Sequence, residues 1–227
     1  MLQLPDAVLW DMDGTLIDSE PYWMVAETEL VERFGGTWST QQGLDMVGNS
    51  LPKSAEILQR AGVDLPVAEI IAALLQQVEA KTRERTPWMP GARELLVALA
   101  AAGVPCALVT ASYRSFADIV VAQSDGALTA VVTGDEVTNG KPHPEPYLRA
   151  ARLLDVPIER CIAIEDSPPG ITSALTAGAR VLGVQSHVPL PEHSELSRAR
   201  TLELVGLTTL ARIAAGEVLT LGIRPGD

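Results

Sequence analysis

The chain reads AVLWDMDGT over residues 7–15, an apolar run that ends abruptly at two aspartates. Four consecutive apolar residues fit a strand that is buried on both faces, as in a parallel sheet. Open parallel sheets bind ligands beyond the carboxyl ends of their strands, and Asp11 and Asp13 follow this strand directly. Two acids at that position have no ordinary structural role, so the stretch predicts a functional site as well as a strand.

Residues 19–85 have helical patterns and contain no convincing strand. The segment SEP at residues 19–21 is typical of a helix start, because proline is tolerated in the first turn, and FGG at residues 34–36 is typical of a helix end. PWMPG at residues 87–91 then breaks the helical pattern. The sequence therefore predicts an all-helical block after the first strand.

Beyond this break, helical and strand patterns alternate along the chain. Strands are predicted at residues 104–110, 130–132, 161–164 and 180–184. Such alternation indicates βαβ crossovers and a parallel sheet with helices on both faces. We predict an α/β protein with a Rossmann-like core domain at residues 1–17 and 88–227 and an inserted α-helical cap domain at residues 18–87.

The bulk composition excludes several classes of protein. Acidic residues outnumber basic ones by 29 to 17, and the formal net charge of −12 opposes binding to nucleic acid. The longest apolar stretch, residues 95–109, is interrupted by GVP at residues 103–105, so it does not predict a membrane span. A hydrophobic fraction of 47% supplies a sizeable core. We expect a globular protein that handles phosphate only as a small ligand at a specific site.

The cysteines and the start of the chain bear on its location. Cys106 and Cys161 lie in apolar runs typical of strands, so we expect buried, reduced thiols, which suit the cytoplasm. Residues 1–10 show no signal-peptide pattern, and the three histidines lack the spacing of a zinc site. We therefore expect a cytoplasmic protein, and we favour a monomer.

Polar side chains follow four of the predicted strands. Since the carboxyl ends of parallel strands meet at one edge of a sheet, these side chains should share one crevice. They are Asp11 and Asp13, then Thr110, Ala111 and Ser112, then Lys141, and finally Glu165 and Asp166. Four carboxylates together are unfavourable unless a cation or protons compensate their charge, and oxygen ligands without histidine or cysteine favour Mg²⁺. Lys141 and the backbone amides of residues 111–112 suit phosphoryl oxygens, so the crevice suits phosphoryl transfer.

The same residues resemble the four motifs of the haloacid dehalogenase superfamily, in the family's order. DMDGTL at residues 11–16 resembles the first motif, TAS at residues 110–112 the second, KP at residues 141–142 the third and EDSPPG at residues 165–170 the fourth. The helical block resembles the cap of subfamily I, which contains β-phosphoglucomutases and sugar-phosphate phosphatases. The resemblance spans nearly the whole chain and implies phosphate ester chemistry.

The resemblance implies a role for each matching residue. Asp11 would be the nucleophile that attacks phosphorus, and Asp13 would be the general acid and base. Mg²⁺ would bind Asp11, Asp166 and the backbone carbonyl of Asp13. Glu165 would be either a further ligand or a partner of the ion through water. The residues that would bind the transferring phosphate are Thr110, Ala111 and Lys141.

Two functions stay open beside the favoured one, an Mg²⁺-dependent phosphatase for a small sugar or polyol phosphate. The first is a phosphomutase of the β-phosphoglucomutase type, although Val47 and Leu51 are apolar where those enzymes carry basic cap residues. The second is a non-catalytic interaction protein with the same fold, which the intact Asp11 and Asp13 do not support. Tyr22 and Trp23, at the start of the first cap helix, are more typical of core residues than of substrate contacts, but their place beside the hinge allows one of them to face the ligand.

Overall fold

One sheet of seven parallel strands forms the centre of the protein in the computed structural model, which describes residues 3–223. In chain order the strands are β1 (Ala7–Trp10), β2 (Cys106–Val109), β3 (Leu128–Val132), β4 (Cys161–Glu165), β5 (Arg180–Val184), β6 (Leu196–Ala199) and β7 (Thr220–Leu221). Their order across the sheet is β3-β2-β1-β4-β5-β6-β7. The chain therefore builds outward from β1 in both directions, and such a switch point is where open parallel sheets bind ligands.

Helices cover both faces of the sheet and form a separate group after β1. They are α1 (Glu20–Arg33), α2 (Thr40–Leu44), α3 (Leu51–Arg60), α4 (Val67–Glu84), α5 (Ala92–Ala101), α6 (Arg114–Ala122), α7 (Glu145–Leu153), α8 (Pro168–Ala177) and α9 (Leu207–Ala214). The first four follow one another without a strand, and α4 packs against both α1 and α3. Within residues 3–223, no helix is long and apolar enough to cross a bilayer.

Alternating side chains of the central strands divide the core into two layers. In β1, Val8 and Trp10 pack into one layer, Ala7 and Leu9 pack into the other, and all four are fully buried. The alternation arises because successive side chains of a strand point to opposite faces of the sheet. Helices α5, α6 and α9 cover one face, and α7 and α8 cover the other. The apolar run at residues 7–10 is therefore explained by a strand that is buried on both faces of the sheet.

The helices α1–α4 leave and rejoin the sheet at one place. Ile17 and Trp88 form an antiparallel bridge, and the Asp18 N–H donates to the carbonyl of Pro87 at 2.7 Å. On the core side, His187 Nε2 lies 2.7 Å from Asp18 Oδ1. Both connections thus lie directly beside the residues that follow β1.

The predicted α/β fold with a helical cap is confirmed, and the structure adds elements that were not predicted. β6, α9 and β7 have no predicted counterpart, because β6 reads LSRA, includes the partly exposed Arg198 and lacks the apolar run of a central strand. The strand predicted at residues 104–110 is shorter, Cys106–Val109. The predicted core range also includes residues 1–2 and 224–227, which lie outside the described residues.

The expectation for the cysteines is confirmed. Cys106 and Cys161 are both buried and free. They lie in opposite layers of the core, with the sheet between them. They therefore contribute to packing and form no disulfide with each other.

Gly91 precedes α5 at a close approach to the backbone of the turn Leu202–Leu204. Its φ of +81° lies in the left-handed region, and a Cβ there would lie 2.4 Å from the backbone nitrogen of Glu203. We expect Gly91→Ala to lower the free energy of unfolding by about 2–4 kcal/mol, from backbone strain plus steric overlap. Urea unfolding measures the loss.

The matched control for this substitution is Gly103→Ala. Gly103 also has a left-handed φ, +75°, but no atom lies within 4 Å of the added Cβ. A loss of about 1 kcal/mol is expected from strain alone. Equal losses in the two variants would contradict the close approach at Gly91.

Candidate active site

Lys141 joins the ends of three strands at the carboxyl edge of the sheet. Its side chain is 3% exposed, and its Nζ donates to Asp11 Oδ1 at 2.6 Å and to Glu165 Oε1 at 2.6 Å. The third contact, at 2.9 Å, is to the carbonyl of Val109. All three hydrogens of the ammonium group are thereby used. Lys141 holds together the ends of β1, β2 and β4, with Asp11 only 7% exposed.

Both carboxylate oxygens of Glu165 accept several hydrogen bonds. Besides Lys141, Oε1 accepts from the hydroxyl of Tyr147 at 2.8 Å. The other oxygen, Oε2, accepts from the Asp166 N–H at 3.1 Å, from the Ser167 N–H at 3.2 Å and from Ser167 Oγ at 3.0 Å. Five donors fix this fully buried carboxylate, so Glu165 orients its neighbours and is itself immobile.

Asp166 has a buried carboxylate oxygen without a hydrogen-bond partner among residues 3–223. Its Oδ1 accepts from Thr15 Oγ1 at 3.3 Å, whereas Oδ2 has no partner. A Cβ at position 14 would lie 2.1 Å from Oδ2, so Gly14 leaves this space free. Oxygen atoms of Asp11, Glu165 and Asp166 lie within 4.8 Å of one another. The arrangement fits a hard divalent cation, because a buried carboxylate oxygen needs a donor or an ion.

The electrostatics of the site also call for more positive charge. Burial, reinforced by the charge of Glu165, raises the pKa of Asp11 to about 7 in spite of Lys141. Burial and the charge of Asp11 raise the pKa of Asp166 well above its usual range. Burial alone would lower the pKa of Lys141, but Asp11 and Glu165 outweigh this effect and raise it, so Lys141 stays charged. A further cation would favour the ionised forms of Asp11 and Asp166.

Four donors from two parts of the chain hold the Asp13 carboxylate. Its Oδ1 accepts from Ser19 Oγ at 2.5 Å and from the indole N–H of Trp23 at 3.1 Å. Its Oδ2 accepts from Ser112 Oγ at 2.8 Å and from Thr110 Oγ1 at 3.3 Å. Ser19 and Trp23 belong to the start of α1, and the other two donors follow β2. Asp13 therefore connects the helical cap to the sheet.

Thr110, Trp23 and Ser167 make contacts in the site that the sequence did not predict. Thr110 Oγ1 also accepts from the Ser112 N–H at 2.9 Å, so this hydroxyl and this amide are engaged within the site itself. Trp23 is buried, as expected of a core residue, but its indole N–H is a site contact that helical spacing does not reveal. Ser167 caps α8, which leaves Asp166 free of that structural role.

A cavity separates these residues from the cap helices. Its floor includes Asp11, Asp13, Ala111 and Lys141, and its roof is formed by α1, α3, α4 and residues 46–49. Its empty volume, counted with its mouth, is about 650 Å³. Four of the predicted candidates therefore line one cavity, whereas Thr110, Glu165 and Asp166 are not among its lining residues.

Two carboxyl groups in the roof were not among the predicted site residues. Glu20 and Glu27 lie on α1, are buried and line the cavity. The sequence does hold a signal for them, since they share one helix face with the apolar Trp23 and Leu30. Acidic residues on an otherwise apolar face indicate either a buried interaction or a ligand.

Comparison with known proteins also points to a hydrolase that acts on phosphate esters. The family model described as "haloacid dehalogenase-like hydrolase" matches residues 5–178. Hexitol phosphatase A of Escherichia coli is 32% identical over 213 residues, which are 88% of this chain and 93% of that protein. A phosphorylated carbohydrates phosphatase of Thermotoga maritima is 31% identical over 186 residues, 79% of this chain and 85% of the relative. The crystal structure of CbbY from Rhodobacter sphaeroides in complex with phosphate superposes with a TM-score of 0.82 at 25% identity, covering 91% of this chain and 99% of that one.

The fold is a Rossmann-like α/β core with a helical cap, and the chain belongs to the haloacid dehalogenase-like hydrolase family. Within that family it is an enzyme of the phosphatase class, since phosphatase relatives match it over most of its length.

Removal of the Lys141 ammonium group is expected to destabilise the protein strongly. Lys141→Met leaves Asp11 and Glu165 buried side by side without their cation, and a broken buried ion pair costs about 3–5 kcal/mol. Lys53→Met, on the exposed surface of α3, is the matched control and should change stability by less than about 0.5 kcal/mol. Urea unfolding measures both variants, and a loss below about 1 kcal/mol in Lys141→Met would refute the central place of this ion pair.

Proposed function

We propose that this protein is an Mg²⁺-dependent phosphatase that hydrolyses a small sugar or polyol phosphate through a phosphorylated Asp11. The observation that carries the proposal is the placement of Asp11 and Asp13 on the floor of one capped cavity, with the Lys141 ammonium 2.6 Å from the Asp11 carboxylate. A carboxylate held beside a fixed cation suits phosphoryl transfer, in which positioning and charge neutralisation dominate catalysis.

The proposed reaction has two steps. In the first, an oxygen of the Asp11 carboxylate attacks phosphorus, the bond to the ester oxygen breaks, and that oxygen takes a proton from Asp13. In the second, Asp13 takes a proton from a water molecule, whose oxygen attacks the aspartyl-phosphate and releases inorganic phosphate and free Asp11. The four hydrogen bonds to Asp13 keep its carboxyl group in place for both transfers.

We assign Mg²⁺ to Asp11, Asp166 and the backbone carbonyl of Asp13. The unpartnered Oδ2 of Asp166 and the space beside Gly14 support this set. Glu165 fits better as a partner through water than as a direct ligand, because five donors already occupy its oxygens. When bound, Mg²⁺ would neutralise negative charge on the phosphoryl oxygens and on the carboxylates around it.

Two observations support a sugar or polyol phosphate as the substrate: the names of the relatives and the position of the cavity. One relative is a hexitol phosphatase and another a phosphorylated carbohydrates phosphatase. The cavity lies between the proposed reacting groups and the cap helices, where the alcohol part of a small ester would bind. We divide the chain into a core at residues 1–17 and 88–227, which supplies the reacting groups, and a cap at residues 18–87, which encloses the alcohol part of the ester.

The lining of the cavity favours hydrolysis over a phosphomutase reaction. A mutase must hold a second phosphate while the first is transferred, and a phosphate dianion needs cationic or amide donors. Val47 and Leu51 line the cavity as apolar side chains. Among the described residues that line it, Lys141 alone is basic, and its three hydrogens are engaged.

Replacement of the proposed nucleophile tests the reaction. Asp11→Asn should reduce kcat for p-nitrophenyl phosphate at saturating Mg²⁺ by at least about a thousandfold, because the amide cannot form the phosphorylated intermediate. Asp64→Asn, on an exposed residue between α3 and α4, is the matched control and should retain wild-type kcat. Released inorganic phosphate is the readout, and full activity in Asp11→Asn would exclude Asp11 as the nucleophile.

The metal site has a test that does not use activity. Mg²⁺ should raise the Tm of the wild-type protein, because a ligand that binds only the folded state stabilises it. Asp166→Asn should lose this increase while it melts at or above the wild-type Tm in EDTA, since it removes an unpartnered buried carboxyl group. Scanning fluorimetry records both, with Asp64→Asn as the control that keeps the increase. An equal Mg²⁺-induced shift in Asp166→Asn would contradict the proposed site.

A further inference from the structure

One face of α1 presents two carboxyl groups to the cavity. Glu20, Trp23 and Glu27 lie three and four residues apart along the helix, and all three line the cavity. The indole of Trp23 is bound to Asp13, at the reacting end. Glu20 and Glu27 flank it and play no part in the proposed chemistry.

Glu20 is a buried acid without a partner. It is 7% exposed, and no donor among residues 3–223 reaches its carboxyl group, although it faces the cavity. Its carboxyl oxygens open onto the cavity instead of being enclosed by the protein, so they are available to a ligand. A ligand hydroxyl that binds there would supply the hydrogen bonds that the protein does not.

One of the two carboxylate oxygens of Glu27 accepts a hydrogen bond from the protein. It is 5% exposed, and its Oε2 accepts from the indole N–H of Trp38 at 3.1 Å. This contact fixes the side chain, while within the described part of the chain Oε1 has no donor. Trp38 therefore holds Glu27 in position with one oxygen available to a ligand.

The other cap residues that line the cavity supply no positive side chain to an anion. Leu51, Leu74 and Met46 are apolar, and the polar groups among them are the neutral Asn49 and Ser54. A ligand hydroxyl can donate to a carboxylate and accept from an amide or a hydroxyl. The mixture of acids, neutral polar groups and apolar surface therefore matches a polyhydroxylated carbon chain.

A second anionic group on the ligand would have no counter-charge. Lys141 is the one basic side chain among the described residues that line the cavity, and Asp11, Glu165 and a carbonyl already occupy its three hydrogens. A second phosphate or a carboxylate would be placed beside Glu20 and Glu27, and neither acid supplies the positive charge that such an anion needs when it leaves water.

We propose that Glu20 and Glu27 are specificity-determining residues that hydrogen-bond the hydroxyl groups of an uncharged, polyhydroxylated alcohol and exclude esters that carry a second phosphate or a carboxylate. The inference rests on the proposed phosphatase function and names its substrate class more narrowly. It assigns the two residues to substrate selection and leaves the bond-breaking steps to Asp11 and Asp13.

The protonation of the two acids is consistent with this role. Burial, together with the charges of Asp13 and Glu27, raises the pKa of Glu20 to about 8. Burial raises the pKa of Glu27 to about 7, against the lowering effect of the hydrogen bond from Trp38. Near neutral pH each group can donate or accept a hydrogen bond to a hydroxyl, and in neither form does it offer a positive charge.

The first test uses the wild-type protein with Mg²⁺. Phosphate release is measured for three esters: fructose 6-phosphate, fructose 1,6-bisphosphate and p-nitrophenyl phosphate, which has no alcoholic hydroxyl. We expect kcat/KM for the monophosphate to exceed that for the bisphosphate by at least about tenfold, although the bisphosphate offers two ester groups. Equal values would overturn the exclusion of a second anion.

The second test separates hydrogen bonding from structure with variants. In Glu20→Leu and Glu27→Leu, the ratio of kcat/KM for fructose 6-phosphate to that for p-nitrophenyl phosphate should fall at least about tenfold, mainly through KM. Glu27→Gln should restore the ratio to within about threefold, because its amide still donates and accepts hydrogen bonds. Glu29→Leu, on the exposed side of α1, is the matched control and should keep the wild-type ratio.

Thermal stability distinguishes a ligand-binding acid from a structural one. Glu20→Leu should keep or raise the wild-type Tm, since it replaces an unpartnered buried acid with an apolar side chain. A lower Tm with an unchanged substrate ratio would assign Glu20 to the fold and overturn the inference for it.

The remaining outcomes are also decisive. Unchanged ratios in both leucine variants would overturn the inference while the phosphatase proposal stands. Absence of phosphate release from every ester by the wild-type protein would overturn the proposed function, and the inference with it.

Discussion

The reactive edge of this sheet depends on one buried ammonium group. Trp10 pairs in register with Ile164, so the next residues, Asp11 and Glu165, leave two neighbouring strands side by side. Two carboxylates at that separation in a buried site repel each other, and Lys141 bridges them at 2.6 Å on each side. The strand pairing therefore brings two negative charges together, and Lys141, from a loop far along the chain, supplies a positive charge between them. Lys141 therefore opposes the effect of burial and of Glu165 on Asp11 without cancelling it, and the pKa of Asp11 remains raised, at about 7.

The N-cap residue of α1 contributes to the site as well as to the start of the helix. SEP at residues 19–21 has the pattern of a helix start, and Ser19 is indeed the N-cap residue of α1. Its hydroxyl, however, donates to Asp13 and makes no capping hydrogen bond to the helix. The helix end thereby becomes part of the active site, and Trp23, one turn further on, adds a second donor to the same carboxylate. Cap and core meet through hydrogen bonds to one acid.

Much of the fold could be predicted because its strongest patterns are local. Residues 7–10 predict β1, since burial on both faces requires a continuous apolar run, and the parallel sheet then brings Asp11 and Asp166 to one edge. β6 was missed because a strand toward the edge of a sheet needs no such run. The engagement of Thr110 with Asp13 depends on which surfaces meet in three dimensions, and no spacing within one strand contains that information. Helical spacing places Glu20 and Glu27 on the apolar face of α1, but it does not reveal that this face borders a cavity.

The contacts of Trp23 also make the enzyme its own optical reporter. Its indole lies on α1 of the cap, donates to Asp13 at 3.1 Å and meets the ring of Phe116 on the core helix α6 edge to face, with 5.8 Å between ring centroids. A movement of the cap away from the sheet would break both contacts and expose this side chain to water. Indole emission depends on the polarity and hydrogen bonding around the ring, so Trp23, one of four tryptophans in the chain, would change its emission if the cap moved away from the sheet.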